Sequence, residues 1–536
     1  MKSLENELLL ALAMLRRHIN PLQSPTYRLP SELLPLVASN LESDTDLVRA
    51  THVSHHWRNT LFSHPSLWSH LDFEDTGRAL AFLEKSKSTP LHVTLVGDIP
   101  VSPSVESLGP HTTRIVTLVM FDCEPQWALL SQPVPSLRRL EIVGADEPPV
   151  DGTISLSLPS VTSLALHDVY PTPLHVPHLV CFKFRYSVLN GDVTMAELLL
   201  NFLLNCPLLE DLEVSHAFSF VSTRDQAVQL LNLRSFIEIT LHEGVYAFGV
   251  LEALSFPPSC SVTLKSWTHS YVKVEPTSIL PQLKNPQCLA GVMRVKLSTT
   301  LNPSNHAIHG ILELINDKGV RVCLERALVI GGPYQPLFVQ EGADDNLNLA
   351  HLNCLKDLDA RSAEILCVEG YGLWAGDPPA ADLVKEVFYN FGSITTLILS
   401  HTTVEPCLLA LDSANTGAGN GAQGLPQIQT LIIHSSTWED PSDTDILQTL
   451  LPVARKRKAA GNPFNSVLVF LPLAPGPELR EEEVEELRSC IGNFEIATGD
   501  DILDWDIDKY FLDGLEHLQN RRNVQWDLSD DMSLEY

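Results

Sequence analysis

Basic residues are scarce in this chain, and their scarcity narrows the kinds of protein it can be. Its 536 residues contain 36 Lys and Arg against 66 Asp and Glu, which gives a formal net charge of −30 at pH 7. Proteins that bind nucleic acid or anionic lipid neutralise phosphates with Lys and Arg. The sequence therefore predicts no nucleic-acid partner, and it favours a partner or substrate segment that is basic.

The chain also lacks an N-terminal hydrophobic run long enough to cross a membrane. The run from Leu8 to Leu15 is only eight residues long, whereas a helix that spans a bilayer needs roughly 20. Acidic residues precede the run and no clean cleavage site follows it, so we do not expect a secretory signal. We predict a short amphipathic helix within residues 1–24 and no membrane partner.

Cysteine pairs and catalytic motifs are missing as well. None of the ten cysteines belongs to a CxxC pair, and GxSxG, GxxxxGK[ST] and HExxH do not occur. Zinc ribbons depend on paired cysteines, and disulfide frameworks belong to secreted proteins. The sequence therefore predicts reduced thiols, a cytoplasmic or nuclear location, no metal and no cofactor. With no nucleophile motif, we also predict that the chain is not an enzyme.

Two short patterns resemble ligand sites but fit simpler explanations. The segment Gly419 to Gly424 matches GxGxxG, yet a dinucleotide site needs a helix after the glycines and a strand pattern follows here. We interpret residues 415–424 as a flexible surface loop. His52 and His56 lie one helical turn apart and could share a zinc ion, but no nearby Cys or carboxylate completes a site. We interpret these histidines as part of a helix surface.

The most specific pattern lies between Leu29 and Trp68. Apolar residues recur at helical spacing through this stretch, which predicts two helices. The members of the pattern are Leu33, Leu36, Val37, Leu41, Leu47, Ala50, Val53, Trp57 and Leu61. Asp44, Thr45 and Asp46 are predicted N-cap residues, and Pro65 ends the pattern. A unit of about forty residues rarely buries all its apolar surface alone, so we expect it to dock on a partner.

This stretch resembles an F-box, through Leu29-Pro30, Glu32-Leu33-Leu34, Trp57-Arg58 and the closing Leu67-Trp68. The resemblance implies binding to a Skp-type adaptor, which links such proteins to a cullin in SCF-type ubiquitin ligases. The positions that match the family's apolar, adaptor-facing positions are Leu29, Pro30, Leu33, Leu34, Leu41, Leu47 and Val53. Trp57 and Trp68 are expected to be internal packing anchors.

Two positions depart from the F-box pattern. Pro35 stands where the family has a helix-compatible residue, and a proline beyond the first helical turn removes a backbone donor. The Ser54-His55-His56 segment replaces the Cys and basic residues that precede the tryptophan in the family. Both departures bear on how tightly the adaptor would bind.

After Pro90 a second pattern recurs, in which apolar residues stand at positions 1, 4 and 6 of a short segment. It is seen at Ile115/Leu118/Met120, Leu137/Leu140/Ile142, Val161/Leu164/Leu166, Leu179/Phe182/Phe184, Leu209/Leu212/Val214, Val292/Val295/Leu297, Ile394/Leu397/Leu399 and Ile428/Leu431/Ile433. The first five central residues are 22, 24, 18 and 30 positions apart. Each segment predicts a strand, and the spacing is typical of leucine-rich repeats, whose period is about 20 to 29 residues. A helix is predicted from Met195 to Leu204, and strands near Val262, Val292 and Val329.

We therefore predict an α/β chain in which a small helical F-box is followed by an irregular leucine-rich-repeat solenoid. The predicted domains are an N-terminal amphipathic helix at 1–24, the F-box at 28–75, the repeat domain at 90–475 and an acidic cap or tail at 476–536. An ordinary α/β domain is the alternative for the repeat region. The F-box is the specific part of the resemblance and the repeats are the weaker part.

Two charged segments remain open to more than one interpretation. Glu478 to Tyr536 holds 18 Asp and Glu against 5 Lys and Arg, and apolar residues are interleaved with the acids. The segment is interpreted as a polar cap on the last repeat, with an acidic docking surface or a solvated tail as alternatives.

Arg455 to Lys458 is a basic run, interpreted either as ordinary surface or as a nuclear import signal.

Together these features predict the substrate-recognition subunit of an SCF-type E3 ubiquitin ligase. Its F-box would bind the Skp adaptor and, through it, a cullin, while the repeats would bind an unknown protein substrate. The alternative is an F-box and repeat scaffold that binds proteins without assembling a ligase.

Overall fold

The structure is a computed structural model in which two compact units, Met1–Arg185 (unit 1) and Tyr186–Tyr536 (unit 2), can be distinguished. It describes residues 6–12, 14–15, 29–41, 43–96, 103–121, 127–130, 132–144, 156–169, 171, 174–187, 193–216, 227–240, 249–269, 292–302, 307–329, 362–370, 388, 391–401, 404–414, 428–434, 443–471 and 481–498. The predicted loop at 415–424 lies outside these residues, as does the acidic segment after Thr498.

Unit 1 begins with short helices. Residues 6–12 and 14–15 are helical, and they are followed by α1 (Leu33–Ala38), α2 (Asp44–Thr51), α3 (His55–Phe62) and a 3₁₀ turn at Pro65–Trp68. The sequence pattern predicted one helix where α2 and α3 stand. The prediction was wrong there because the Ser54 side chain accepts a hydrogen bond from the Trp57 N–H at 3.1 Å and starts a new helix.

The rest of unit 1 consists mainly of parallel strands. They are β1 (His70–Asp72), β2 (Leu91–Val96), β3 (Ile115–Phe121), β4 (Arg139–Val143), β5 (Leu156–Ser157), β6 (Ser163–His167), β7 (Leu174–His175) and β8 (Cys181–Tyr186). The order of pairing is β1–β2–β3–β4–β6–β8, every pair parallel, and β5 pairs with β7 separately. Helices α4 (Thr76–Ser86), α5 (Pro103–Leu108) and α6 (Trp127–Leu130) lie between strands in the chain.

The predicted central residues of the repeating pattern lie opposite one another in this sheet. Leu118 pairs with Leu140, Leu140 with Leu164, and Leu164 with Phe182. All four side chains have no exposed surface. Because side chains alternate across a strand, this register places one buried apolar row on a single face of the sheet. The strands predicted in unit 1 are confirmed.

Within its described residues, unit 2 contains the remaining strands and five helices. The strands are β9 (Asp211–His216), β10 (Val228–Gln229), β11 (Ser235–Thr240), β12 (Leu254–Ser255), β13 (Ser261–His269), β14 (Val292–Asn302), β15 (Ala307–Asn316), β16 (Arg321–Val329), β17 (Ile365–Gly370), β18 (Thr396–His401), β19 (Thr430–His434), β20 (Ser466–Leu471) and β21 (Asn493–Thr498). The helices are α7 (Val193–Leu204), α8 (Gly249–Ala253), α9 (Val404–Ala414), α10 (Asp443–Ala459) and α11 (Glu481–Cys490). The helix predicted from Met195 to Leu204 is thus confirmed. Among the described residues, no helix is both long and apolar enough to span a membrane.

The strands of unit 2 are not all parallel. Strands β9, β11, β13 and β16 pair in parallel, as do β14, β17, β18, β19, β20 and β21. Strand β15 lies between β14 and β16 and is antiparallel to both. Strands near Val262, Val292 and Val329 are confirmed, but β15 was not predicted, and it interrupts the expected series of one parallel strand per repeat.

A tight turn explains how β15 and β16 come to be antiparallel neighbours. The Asn316 side-chain oxygen accepts hydrogen bonds from the Lys318 and Val320 amides, each at 2.9 Å. Gly319 has a φ of +75°, which favours glycine. The sequence Asn316-Asp317-Lys318-Gly319 is therefore a hairpin signal of the kind that Asn and Gly provide, and it could have been recognised.

In unit 2, part of the sheet face opposite the main buried row also packs into an apolar core. Ile315, Cys367, Ile398, Ile432 and Phe470 form one cluster, and each is at most 6% exposed. On the corresponding face of unit 1, Thr117, Val119, Glu141 and His167 are only half-buried. On this face the unit 2 strands β17 to β20 are therefore less accessible to a partner than the unit 1 strands, whereas Ile237 and Ile239 on β11 of unit 2 are half-buried.

None of the described cysteines belongs to a disulfide, and all of them except Cys181 are buried. Burial raises the pKa of Cys206 and of Cys407 to about 12, and that of Cys323 to about 11. Thiols of this kind are inert at neutral pH because the reactive species is the thiolate.

The buried row gives a direct test of the unit 1 register. Leu140→Ala removes a fully buried side chain from the centre of the sheet and should lower the free energy of unfolding by about 2 to 5 kcal/mol. Val143→Ala, on the other face of the same strand, should cost less than about 1.5 kcal/mol. Urea unfolding followed by circular dichroism measures both, and equal losses in the two variants would contradict the assignment of the faces.

Candidate functional site

The helices between Leu29 and Trp68 hold the candidate site, and their ends are fixed by local hydrogen bonds. The Leu33 N–H donates to the Pro30 carbonyl at 3.0 Å, just before α1 begins. The Asn40 amide group and the Ser39 hydroxyl both donate to the Leu36 carbonyl, at 2.7 and 2.9 Å, where α1 ends. These bonds satisfy backbone groups that a helix end leaves unpaired.

Pro35 is the third residue of α1, which begins at Leu33. The first residues of a helix have no intrahelical acceptor for their N–H groups, so the missing N–H of Pro35 costs no bond. The Pro35 carbonyl accepts a hydrogen bond from the Ser39 N–H at 2.8 Å. The departure from the F-box pattern at this position is therefore compatible with an intact helix.

A serine, rather than an aspartate, caps α2. The Ser43 hydroxyl oxygen accepts from the Asp46 N–H at 3.1 Å and the hydroxyl donates to an Asp46 carboxylate oxygen at 2.9 Å. The predicted N-cap residues Asp44, Thr45 and Asp46 instead form the first turn of the helix, because the N-cap is the preceding residue, Ser43. Hydrogen bonds from Ser43 and then Arg49 lower the pKa of Asp46, so its carboxylate stays charged near the positive end of α2.

The seven residues predicted to face the adaptor fall into two groups. Leu29, Pro30, Leu33, Leu41 and Val53 are exposed, with Leu33 at 41% and Val53 at 62%. Leu34 has no exposed surface and Leu47 is 5% exposed. The exposed group is available to a partner as it stands, whereas the buried pair packs inside the helical segment. That these seven residues contact the adaptor stays a prediction.

Two further apolar residues on α1 are exposed and were not among those predicted to face the adaptor. Leu36 is 61% exposed and Val37 is 48% exposed. Together with Leu33 they stand at positions i, i+3 and i+4 of one helix, which places all three on one side. The opposite side of α1 carries the buried Leu34 and Ala38. The spacing was visible in the sequence, but only the packing shows which side faces outward.

A tryptophan joins the helices to the sheet in unit 1. Trp68 is 1% exposed, and its indole N–H donates to the Leu61 carbonyl at 3.0 Å. Its ring meets the edge of Phe82 on α4 at a centroid distance of 4.9 Å. Trp68 is thus the internal anchor that was predicted, whereas Trp57 is only half-buried.

The first strand of the sheet follows this tryptophan almost immediately. Strand β1 (His70–Asp72) pairs in parallel with β2, and the His70 and His92 rings stack at a centroid distance of 4.6 Å. The His92 amide donates to the Ser69 carbonyl at 2.9 Å. The helical segment therefore passes into the sheet without an intervening linker.

The basic run from Arg455 to Lys458 lies on α10 in unit 2, where it is engaged in packing. Arg455 forms a two-pronged ion pair with Glu486, at 2.5 and 2.6 Å. Arg457 is 2% exposed, and it donates to the Ile428 carbonyl at 2.8 Å and stacks on Phe464. Lys458 donates to the Ser489 carbonyl at 2.6 Å. These contacts tie α10 to α11 and neighbouring segments.

In the part of the chain that the structure describes, no group of three or more His, Cys, Asp or Glu side chains comes close enough to hold a metal ion. The His55 ring nitrogen instead lies 3.1 Å from the Asn59 amide. The described surface of α1 itself is apolar, with Leu33, Leu36 and Val37 exposed.

Substitution of Pro35 tests whether this residue lies in the first turn of α1. Pro35→Ala restores an N–H that has no partner in the helix, so the stability of α1 should change by less than about 1 kcal/mol. Val37→Pro, two residues further on, removes an intrahelical bond and should cost about 3 kcal/mol or more. Hydrogen exchange of the α1 amides measures both variants, and a large loss in Pro35→Ala would contradict the assigned start of the helix.

Comparison with known proteins agrees with this geometry. A search of the curated proteins found no match, but the family model described as F-box-like matches residues 26–74. The match covers the three helices, the Trp68 anchor and strand β1. Residues 26–74 of this chain therefore form an F-box-like domain, and such a domain indicates a role in protein–protein interaction.

Proposed function

We propose that the chain is the substrate-recognition subunit of an SCF-type E3 ubiquitin ligase. The observation that carries the proposal is an F-box-like domain whose helix α1 presents Leu33, Leu36 and Val37 outward. F-box domains generally bind a Skp-type adaptor. In this role the adaptor covers the exposed apolar side of α1 and links the chain to a cullin.

The packing of the domain indicates that its exposed apolar residues would contact the adaptor and that its buried ones would support the fold. Leu33, Leu36 and Val37 would be covered directly by the adaptor, because they are exposed and their burial removes apolar surface from water. Leu34 and Leu47 lie beneath the surface and support its shape from within. Leu47→Asp would therefore unfold the domain, and its effect on binding would not report docking alone.

The strands that follow the F-box-like domain are proposed to form the predicted leucine-rich-repeat solenoid. The in-register row from Leu118 to Phe182 supports this, since each repeat of such a fold adds one parallel strand and extends a continuous core. The antiparallel strand β15 would be an insertion between repeats. Helix α11 and strand β21 would belong to the acidic cap that was predicted at residues 476–536.

The target protein is proposed to bind the half-buried face of the unit 1 sheet. This face carries Val119 and Val143. It also carries an ion pair in which an Arg139 guanidinium nitrogen lies 3.1 Å from a Glu141 carboxylate oxygen. On β17 to β20 of unit 2 the corresponding face is closed around Ile398 and Ile432. The chain's net charge of −30 favours a basic target through complementary electrostatics.

In this role the chain itself performs no chemistry. Ubiquitin transfer would take place on another subunit, so the chain would need neither catalytic residues nor a cofactor. The described cysteines, which form no disulfide and are mostly buried, fit a reducing compartment, and we propose the cytoplasm, the nucleus or both.

Substitutions at two exposed positions that were predicted to face the adaptor, Leu33 on α1 and Val53 just after α2, test the proposal. Leu33→Asp and Val53→Asp each place a charge on the surface that the adaptor would cover, where an unpaired carboxylate is strongly unfavourable. Each should weaken binding of the full chain to the purified Skp-type adaptor by at least about thirtyfold. Calorimetry with the adaptor measures the affinity, and co-purification shows whether a cullin is recruited.

The control is an equally drastic change at a distant exposed leucine. Leu231 is 72% exposed in unit 2, so Leu231→Asp should bind the adaptor as the unaltered chain does. Point variants are needed because removal of residues 1–75 would also remove β1 and leave the edge of β2 unpaired. Unchanged affinity in both Leu33→Asp and Val53→Asp would contradict this docking surface.

The cullin readout separates the two candidate functions. If the unaltered chain brings down the adaptor and the cullin together, the ligase-receptor function is supported. If it brings down the adaptor alone, the chain acts as an F-box scaffold that binds proteins without assembling a ligase. The departure from the F-box pattern at His55, which is exposed on α3, and at His56, which is half-buried, is the sequence feature that keeps this second function open.

A further inference from the structure

The helical segment that precedes the F-box-like domain is apolar on all its sides. Within residues 6–12 and 14–15, the large apolar side chains are all between 43% and 66% exposed; they are Leu8, Leu9, Leu10, Leu12, Met14 and Leu15. At 100° per residue, Leu8, Leu12 and Leu15 point to one side and Leu10 and Met14 to the opposite side. The sequence predicted an amphipathic helix here, but these residues leave no continuous polar side.

A helix that is hydrophobic all round is normally enclosed by other protein. A short isolated helix is also marginal in water, because propensity alone does not offset the cost of nucleation. The segment therefore needs a partner surface that covers it on more than one side. The exposed side of α1, with Leu33, Leu36 and Val37, does not provide that cover, since both sets of side chains are exposed in the same structure.

We propose that this helical segment is a second docking element for the Skp-type adaptor, beside the outward side of α1. The inference rests on the proposed function, in which the adaptor binds the F-box-like domain. Both surfaces belong to unit 1, both are apolar, and both are uncovered at once. A single partner that contacts both surfaces would bury them together.

Chain connectivity favours the adaptor over a second copy of this chain as the occupant. Residues 16–28 separate the segment from Leu29, and even when fully extended they span at most about 45 Å. Once an adaptor sits on α1, the helical segment is held within that distance of it, so its own contact with the adaptor is intramolecular. A second copy of the chain has no such tether.

The experiment measures the affinity of the full chain for the purified Skp-type adaptor by calorimetry. One variant carries Leu8→Gln, Leu12→Gln and Leu15→Gln, and another carries Leu10→Gln and Met14→Gln. Glutamine keeps helix propensity but removes the apolar surface. Each variant should bind the adaptor at least about tenfold more weakly than the unaltered chain, since each loses two or more buried apolar side chains.

The matched control replaces the same three leucines by methionine, a swap that conserves volume and apolar character. This variant should keep the affinity of the unaltered chain. A second readout is hydrogen exchange of residues 8–15, whose amides should become protected when adaptor is added. Since these side chains are exposed, none of the variants should alter the unfolding transition of the chain.

The outcomes separate this inference from the proposed function. If Leu33→Asp abolishes binding while the glutamine variants bind as tightly as the unaltered chain, only the second docking element is overturned. Tighter binding by the glutamine variants would overturn it too, because the segment would then compete with the adaptor. If the unaltered chain is a dimer that the glutamine variants lose, a second copy covers the segment. If the unaltered chain does not bind the adaptor, the proposed function and this inference fail together.

Discussion

The parallel register of the unit 1 strands is the constraint on which the rest of that unit depends. Leu118, Leu140, Leu164 and Phe182 lie opposite one another and are fully buried. A slip of one residue in any pair would turn a whole strand's apolar side chains to the other face. The register therefore fixes both the core and the face that remains accessible, with Val119, Glu141 and His167 on it.

The same sheet holds the F-box-like domain in place. Strand β1 belongs to the matched stretch and pairs with β2, while Trp68 joins the helices to Phe82 on α4. Adaptor docking on α1 and target binding on the unit 1 face would therefore act within one compact unit. If both surfaces bind as proposed, unit 1 would hold the target at a fixed distance from the adaptor. A fixed distance would help to position the target for a reaction that takes place on another subunit.

Much of the candidate site could be predicted from the sequence because its signals are local. The Leu-Pro start, the apolar spacing and the closing Trp68 identify an F-box-like domain, and the repeating pattern marks eight strands correctly. The helix boundaries were less well predicted, since Ser43 and Ser54 cap helices that the apolar spacing alone merges or shifts. The antiparallel strand β15 was missed because its hairpin turn was not recognised and its apolar residues do not follow the repeat pattern.

The sequence by itself determined the helical stretch of the F-box-like domain, helix α7 and the strands of the repeating pattern, because hydrophobic periodicity acts over a few neighbours. Only the tertiary structure decided which side of each element is buried. Leu33 and Leu34 are adjacent and chemically identical, yet one is 41% exposed and the other has no exposed surface. Likewise Ile432 is closed into a core while Val119 stays accessible on the corresponding face. Burial depends on what packs against a residue from distant parts of the chain, and no local pattern encodes that contact.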